Sequence, residues 1–369
     1  MPMSLRFSRA LTLVAAGLAA QVAQADGSYY SLGYGLKPYG SSADGSVVSA
    51  YISNDSYYMW TATTGVTAIG GKWLGGTTDV SADGSIISGS ALGADGVTHA
   101  AYYTVATGTW TTLSGLGRSI DGSESSSWGL SGDGKTVVGL AWTSGVAANA
   151  VKSAPDNTLV NLGVSGRAQA VNSDGSVIAG YVSQGLSSYG VYWQNGVMTK
   201  LTDAQGANMP AVGDMSENGL WLVGSGAASG QTWRYNTATH AVEWLGDFNT
   251  ATTVQASTGI SADGKIVVGY DRGFNTPPTL GQGTIWIEGT GMLSLTDYVL
   301  AQGVDLEGRT LALPLGISDD GRTFYGIDSA GEGFVVTLSP VPEPATYGML
   351  GLGLGAIAWR RRRAAPSQH

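Results

Sequence analysis

One phrase recurs seven times along this chain: Ser-x-Asp-Gly, or a close variant of it, followed by a β-branched run that usually ends on glycine. Its turns fall at Asp44-Gly45, Asp83-Gly84, Asp133-Gly134, Asp174-Gly175, Asn218-Gly219, Asp263-Gly264 and Asp320-Gly321. From Asp44 to Asp320 is 276 positions over six intervals, a mean period of 46. A period of that size marks a repeat architecture, in which each unit buries its apolar face only against its neighbours. Asp-Gly between β-favouring runs is the strongest short hairpin signal, because Asp bonds nearby backbone while Gly accepts positive φ.

The rest of each unit extends the reading. Glycines 89, 139, 180, 224, 269 and 326 are expected to end the second strand and to let neighbouring backbone approach closely. A third strand carries a bulky residue: Trp60, Tyr103, Val151, Trp193, Trp233, Trp286 or Phe334. A fourth carries Ile69, Leu113, Leu162, Leu201, Leu245 or Leu295. Four short strands per unit is the count of a propeller blade. The seventh unit reaches Pro340 without a fourth strand, whereas Tyr29 to Gly33 precede the first turn as an orphan strand. The fold expected is therefore all-β, a seven-bladed β-propeller of four-stranded blades closed by the N-terminal strand, which removes exposed edges.

The 369 residues include 57 Gly and no Cys, which fits a turn-rich β protein and excludes disulfides, thiolate metal sites and cysteine nucleophiles. Six of the 18 basic residues sit at the ends, so the stretch from Asp26 to Pro342 holds 12 basic and 26 acidic residues, a net of −14. A body that acidic, without a basic stripe, excludes nucleic acid as a partner.

The two ends read as signals. Met1 to Ala25 order Arg6 and Arg9, an apolar run from Leu11 to Ala20, and Ala23-Gln24-Ala25, which is the layout of a secretory signal peptide passing through the Sec translocon, cut after Ala25. Residues 26–340 are then the repeat domain, and 341–369 a tail. That tail holds Pro342-Glu343-Pro344, a short apolar stretch from Tyr347 to Trp359, and Arg360, Arg361, Arg362 and Arg363. The apolar stretch is expected to form a short transmembrane helix of about 20 Å whose arginines stay on the cytoplasmic side.

Those three parts, in that order at a chain end, resemble the PEP-CTERM sorting signal of Gram-negative bacteria. The resemblance implies an exosortase that recognises Pro342, Glu343 and Pro344, with Arg360 to Arg363 stopping transfer, an inner-membrane intermediate, and delivery to the cell surface or an exopolysaccharide biofilm matrix. The repeated phrase itself resembles the HAF family of extracellular repeats, which implies a secreted or surface protein and no particular chemistry.

Sites for chemistry are sparse. Of the three histidines, His369 is in the tail, and His99 and His240 are expected in surface loops. No G-x-S-x-G elbow, H-E-x-x-H helix or phosphate loop occurs. Glu124, Glu217, Glu243 and Glu332 are candidates for a glycosidic carboxylate pair at a ring mouth. No cofactor is expected. Asp55, Asp95 and the loop from Asp121 to Glu124 are oxygen-rich enough to suggest calcium, although turn chemistry accounts for each. The loop from Gly115 to Trp128, with Trp110, suggests a sugar-stacking patch, and Thr296 to Gly316 a second long loop. The function expected is non-enzymatic binding or structure at the surface or in the matrix, with exopolysaccharide as partner; the alternative is a polysaccharide-modifying glycosidase.

Overall fold

The computed structural model describes residues 27–339 apart from 121, 186, 226–230, 247, 249–252 and 274. The expected signal peptide with Ala23 and Ala25, the sorting residues Pro342, Glu343, Pro344 and Arg360 to Arg363, and the apolar tail helix lie outside the described residues, as does Asp121. Among the described residues no helix is long and apolar enough to cross a membrane. Residues 26–340 form one compact unit by themselves.

The fold is built from antiparallel sheets arranged along the repeat. After β1 (Ser28–Tyr34), the first sheet holds β2 (Lys37–Ser41), β3 (Val48–Tyr51), β4 (Tyr57–Thr61) and β5 (Gly65–Gly70). The second holds β6 (Asp79–Val80), β7 (Ile86–Leu92), β8 (Thr98–Thr104) and β9 (Thr109–Thr112). A seven-stranded sheet follows, with β10 (Ser125–Leu130), β11 (Val137–Ser144), β12 (Ala147–Ser153), β13 (Leu159–Val171), β14 (Val177–Gln184), β15 (Ser187–Gln194) and β16 (Val197–Lys200). The long β13 is shared: its first half is the fourth strand of unit three and its second half the first strand of unit four. Unit five has β17 (Val212–Met215), β18 (Trp221–Ser225), β19 (Thr232–Asn236) and β20 (Val242–Gly246). Unit six has β21 (Thr253–Ile260), β22 (Ile266–Gly273), β23 (Gln282–Ile287) and β24 (Gly291–Ser294). The last sheet joins β25 (Leu313–Ile317), β26 (Thr323–Ile327) and β27 (Glu332–Thr337) to β1, with Tyr30 opposite Val335. Leu32 of β1 shares an apolar cluster with Val335, Val48 and Trp60.

Every Asp-Gly or Asn-Gly pair turns the first strand of a unit into its second. In the first, Ser42 Oγ donates to Asp44 Oδ1 at 2.8 Å, Ser46 N–H donates to the same oxygen at 2.9 Å, and Val47 N–H donates to Ser42 Oγ at 3.0 Å. The glycine follows with φ of +67°, a conformation that side chains with a Cβ resist. Unit four swaps in Asn172, whose amide makes both contacts at 2.9 and 2.8 Å.

Neighbouring turns are also linked. Ala43 N–H donates to Ala82 O, Ala82 to Gly132 O, Asp133 to Ser173 O, Ser173 to Glu217 O, Ala262 to Asp319 O, and Asp320 back to Ala43 O, at 2.8 to 3.1 Å. Each turn glycine sits on the residue at or just before the start of the second strand of the unit before it, Gly84 on Val47 and Gly321 on Ile266, while Gly45 of the first unit sits on Thr323 of the seventh.

The expected third-strand residues are on third strands, and all but Tyr103 are buried. Trp233 and Phe334 are fully enclosed, the kind of burial worth about 1.5–3 kcal/mol per large apolar side chain. Two expectations need correction. Gly89, Gly139, Gly180 and Gly269 lie inside the second strands β7, β11, β14 and β22 rather than at their ends; the last three face a β-bulge in the first strand, so that a methyl at Gly180 would overlap the Arg167 carbonyl. The stretch from Thr296 to Gly316 is not all loop: a short helix α1 (Leu295–Ala301), capped by Ser294 Oγ accepting from Asp297 N–H, buries Leu295 and Val299.

Candidate functional site

The bulges line a cavity. In six first strands the register slips around one residue: Tyr39, Trp128, Gln169, Gly213, Thr258 and Leu315. A bulge re-aims the extra side chain. All six, with Thr78 at the equivalent place in unit two, line one cavity of about 230 Å³. Ser41, Val80, Leu130, Val171, Met215, Ile260 and Ile317, two residues further along each first strand, line it as well. The cavity therefore draws the same two positions from all seven units.

Its charge is one-sided. Asp79 and Asp214 occupy a position that is glycine or alanine in the other units (Gly40, Gly129, Ala170, Gly259, Gly316). Each reaches to the next unit: Asp79 Oδ2 accepts from Leu130 N–H at 2.9 Å and Asp214 Oδ2 from Ile260 N–H at 3.0 Å. Glu217 and Asp319, inside the turn phrases of units five and seven, add two carboxylates toward the turn end. Burial pushes Asp79 and Asp319 up to about 8 and Asp214 to about 7, with neighbouring carboxylates adding to the rise, and burial raises Glu217 too. At the strand-start end, the Arg167 guanidinium stacks 3.3 Å over the Trp128 ring and 5.0 Å from that of Tyr181, with its Nε unpartnered. Ser257 Oγ and Gln169 Oε1, both on the cavity wall, also lack hydrogen-bond partners. Such a cavity offers acceptors, hydroxyls and an aromatic rim to a polar ligand.

The four glutamates singled out in the sequence do not meet. Glu217 is in the cavity; Glu243 pairs with Arg234 at 2.6 Å; Glu332 pairs with Arg309 at 3.3 Å; Glu124 is elsewhere. The expected Trp110 and Trp128 patch is also divided, because Trp110 packs on Tyr57 and Tyr103 and donates to Ile69 O at 2.7 Å. Their separation in the fold follows from strand position, Trp128 on a first strand and Trp110 on a fourth.

His99 is a correction as well: it lies on β8 rather than in a loop and is buried. Its Nε2 is 3.1 Å from Asp95 Oδ1, and its Nδ1 is 2.9 Å from Glu124 Oε2 but outside hydrogen-bonding direction. Asp95 Oδ2 accepts from Arg118 at 2.9 Å. The hydrogen bond from His99 leads the contacts that hold the Asp95 carboxyl below the usual range. Asp55 lies in the β3–β4 turn, outside this group. His240, as expected, is in a turn, its Nδ1 2.9 Å from the Tyr235 hydroxyl.

Comparison with known proteins bears on the ends and on the fold. Residues 340–363 match the family described as the PEP-CTERM protein-sorting motif. No curated protein matches the chain. Among solved structures, the oligogalacturonate lyase of Vibrio parahaemolyticus is similar with a TM-score of 0.54 at 12% identity, covering 85% of this chain and 94% of that one. A mitotic checkpoint complex is similar with a TM-score of 0.52 at 17% identity, covering 92% and 99%. TolB from Acinetobacter baumannii gives 0.44 at 14% identity, covering 83% of this chain; this chain spans 63% of TolB. The fold is mostly β and β-propeller-like.

Proposed function

We propose that this is an exported protein, processed by an exosortase, whose repeat body is a closed seven-bladed wheel that holds a saccharide of the cell surface or matrix without turning it over. The sorting motif implies export, exosortase processing and a surface destination. Passage through the Sec translocon, a transient inner-membrane stage and membership of the HAF type of repeat belong to the same reading. Closure is supported by the β1 and β27 pairing, by the hydrogen bond from Asp320 to Ala43, and by the seat of Gly45 on Thr323.

The observation that carries the binding half is the cavity lined by every unit, whose wall includes Trp128 and the unpartnered oxygens of Ser257 and Gln169. Its carboxylates favour non-covalent recognition over a glycosidic pair, because Asp79 and Asp214 are tied to backbone N–H groups of the next unit. The similar structures include both a lyase and a checkpoint complex, so the activity is argued from the cavity and not from the likeness.

The test is retention of the full chain on the producer's own exopolysaccharide, followed for reducing ends. Retention that falls with Trp128→Ala and Ser257→Ala, without new reducing ends, supports binding. New reducing ends lost in Asp319→Asn would establish the glycosidase alternative instead. Retention indifferent to both substitutions would move the binding surface away from the cavity. Glu343→Gln should hold the protein in the inner membrane; normal surface delivery would overturn the processing assignment.

A further inference from the structure

We propose that Arg167 anchors the carboxylate of an acidic sugar at the strand-start mouth of the cavity, so that the saccharide held there is a uronate and not a neutral one. The inference rests on the saccharide-binding reading above and narrows it. Arg167 is on β13 in unit four, two residues before the bulged Gln169. Its guanidinium lies 3.3 Å over the ring of Trp128, which comes from β10 in unit three, and 5.0 Å from that of Tyr181 on β14. Trp128 is on the cavity wall, as is Tyr39 of unit one.

The charge of this arginine is unanswered. Among the described residues no carboxylate pairs with it and no acceptor takes its side-chain N–H groups, and its Nε is buried without a partner. Arg234 has the opposite arrangement: stacked on Trp221 and Trp286 in the same way, it gives its donors to Glu243, Glu288 and the Gly264 carbonyl. Taking a guanidinium out of water is costly unless its hydrogen bonds are replaced. Burial pulls Arg167 below its ordinary value, and the groups that oppose this are the hydroxyls of Tyr181 and Tyr39, not a carboxylate. An arginine keeps its proton even so, which leaves its donors for an anion from outside the chain. The side chain is partly exposed, so such an anion has access.

The surroundings select the kind of anion. Trp128 is held in place, its Nε1 donating to Ser126 Oγ at 3.0 Å and its carbonyl accepting from Thr77 Oγ1 at 2.8 Å. A guanidinium 3.3 Å above that ring is in face contact, which leaves the donors around its rim, and a planar carboxylate takes two such donors side by side. Burial pushes the Tyr39 hydroxyl up, Tyr270 adds to the rise and Arg167 opposes it, so Tyr39 stands near both. Tyr39, Tyr181 and Tyr270 therefore surround the cation with rings of the kind on which a pyranose stacks. Asp79, Asp214, Glu217 and Asp319 at the turn end of the same cavity make a doubly charged phosphate monoester a poorer occupant than a carboxylate with a single charge.

The full chain is titrated, with tryptophan fluorescence as the signal, against tetramers of mannuronate and of glucuronate, against the same tetramers with their carboxylates reduced to alcohols, and against inorganic phosphate, all at one ionic strength. The expected result is saturable binding of a uronate tetramer, at least about tenfold tighter than its reduced form and weakened at least about tenfold in Arg167→Gln. Arg167→Lys, which keeps the charge without the planar fork, should recover only part of it. Lys265→Gln, which removes a positive charge from an exposed turn, should leave it unchanged. Far-UV circular dichroism checks that the variants fold, and the comparison of native with reduced tetramers on the wild-type chain needs no variant. Equal binding of the reduced tetramers, or undiminished binding in folded Arg167→Gln, overturns the proposal and leaves the saccharide reading standing. Phosphate bound as tightly as a tetramer overturns the choice of a carboxylate. Binding of no tetramer, native or reduced, overturns the proposal, and retention on the producer's exopolysaccharide then decides the saccharide reading separately.

Discussion

Replacing Arg234 with alanine should loosen the junction between units five and six. Arg234 is on β19 with its side chain 5% exposed, and its guanidinium lies between the Trp221 ring at 4.2 Å and the Trp286 ring at 4.5 Å. Its Nε donates to Glu243 at 2.6 Å, one Nη to Glu288 at 2.8 Å and the other to Gly264 O at 2.8 Å. Trp286, Glu288 and Gly264 belong to unit six, so one side chain staples two sheets. The two glutamates are nearly half exposed, at 47% and 46%, so water takes over much of their pairing and each bond is worth about 1 kcal/mol or less. The larger losses are internal. The Gly264 carbonyl loses its buried donor, about 1–3 kcal/mol, and two desolvated cation–aromatic contacts go, each about 1–2 kcal/mol. Together the internal losses come to about 3–7 kcal/mol, overlapping the range of about 3–5 kcal/mol for breaking a buried charged group's network. Urea unfolding followed by tryptophan fluorescence measures it, and Arg234→Lys, which keeps the charge without the planar stack, should recover less than half. A cost below about 1 kcal/mol for the alanine variant, or full recovery by lysine, would refute the reasoning.

Two further predictions concern the cavity carboxylates and the bulge opposite Gly180. Asp79 and Asp214 carry folded-state values raised to about 8 and about 7 from an ordinary 3.8, so their contribution to stability is fully present below about pH 4 and is lost as pH rises toward 7 to 8. At about 1.36 kcal/mol per pH unit the loss at Asp79 is bounded at ~6 kcal/mol, and water in the adjoining cavity reduces it. Denaturant midpoints at pH 5 and pH 8 should therefore converge in Asp79→Asn relative to wild type; parallel loss in both would contradict the assignment. Gly180→Ala should cost about 1–3 kcal/mol by thermal unfolding despite alanine's better strand entropy, because the methyl meets the Arg167 carbonyl at the bulge. An unchanged or higher midpoint would mean that the bulge relaxes freely.

Local chemistry was readable in one dimension. The Asp-Gly turns, the third-strand positions of Trp233 and Phe334, and the approach of backbone at Gly139 and Gly180 all follow from neighbours within a few residues, where φ preference and β-branching act directly. The placement of Gly139 and Gly180 inside their strands depends on the bulge opposite them and so on cross-strand register, which sequence spacing does not fix. The sequence carries one signal for the cavity: the residue three before each phrase's serine or asparagine, from Tyr39 to Leu315.

What the sequence by itself determined was the repeat, its hairpins, its acidic body and the sorting tail, because each depends on residue type and short spacing. Tertiary structure alone decided that Trp128 meets Arg167 and not Trp110, that four glutamates scatter to four places, and that His99 lies between carboxylates from Asp95 and from Glu124, 25 residues further on. Those contacts join segments that are apart in the chain. They are set by the bulges and insertions that aim individual side chains, which a period of 46 residues leaves unspecified.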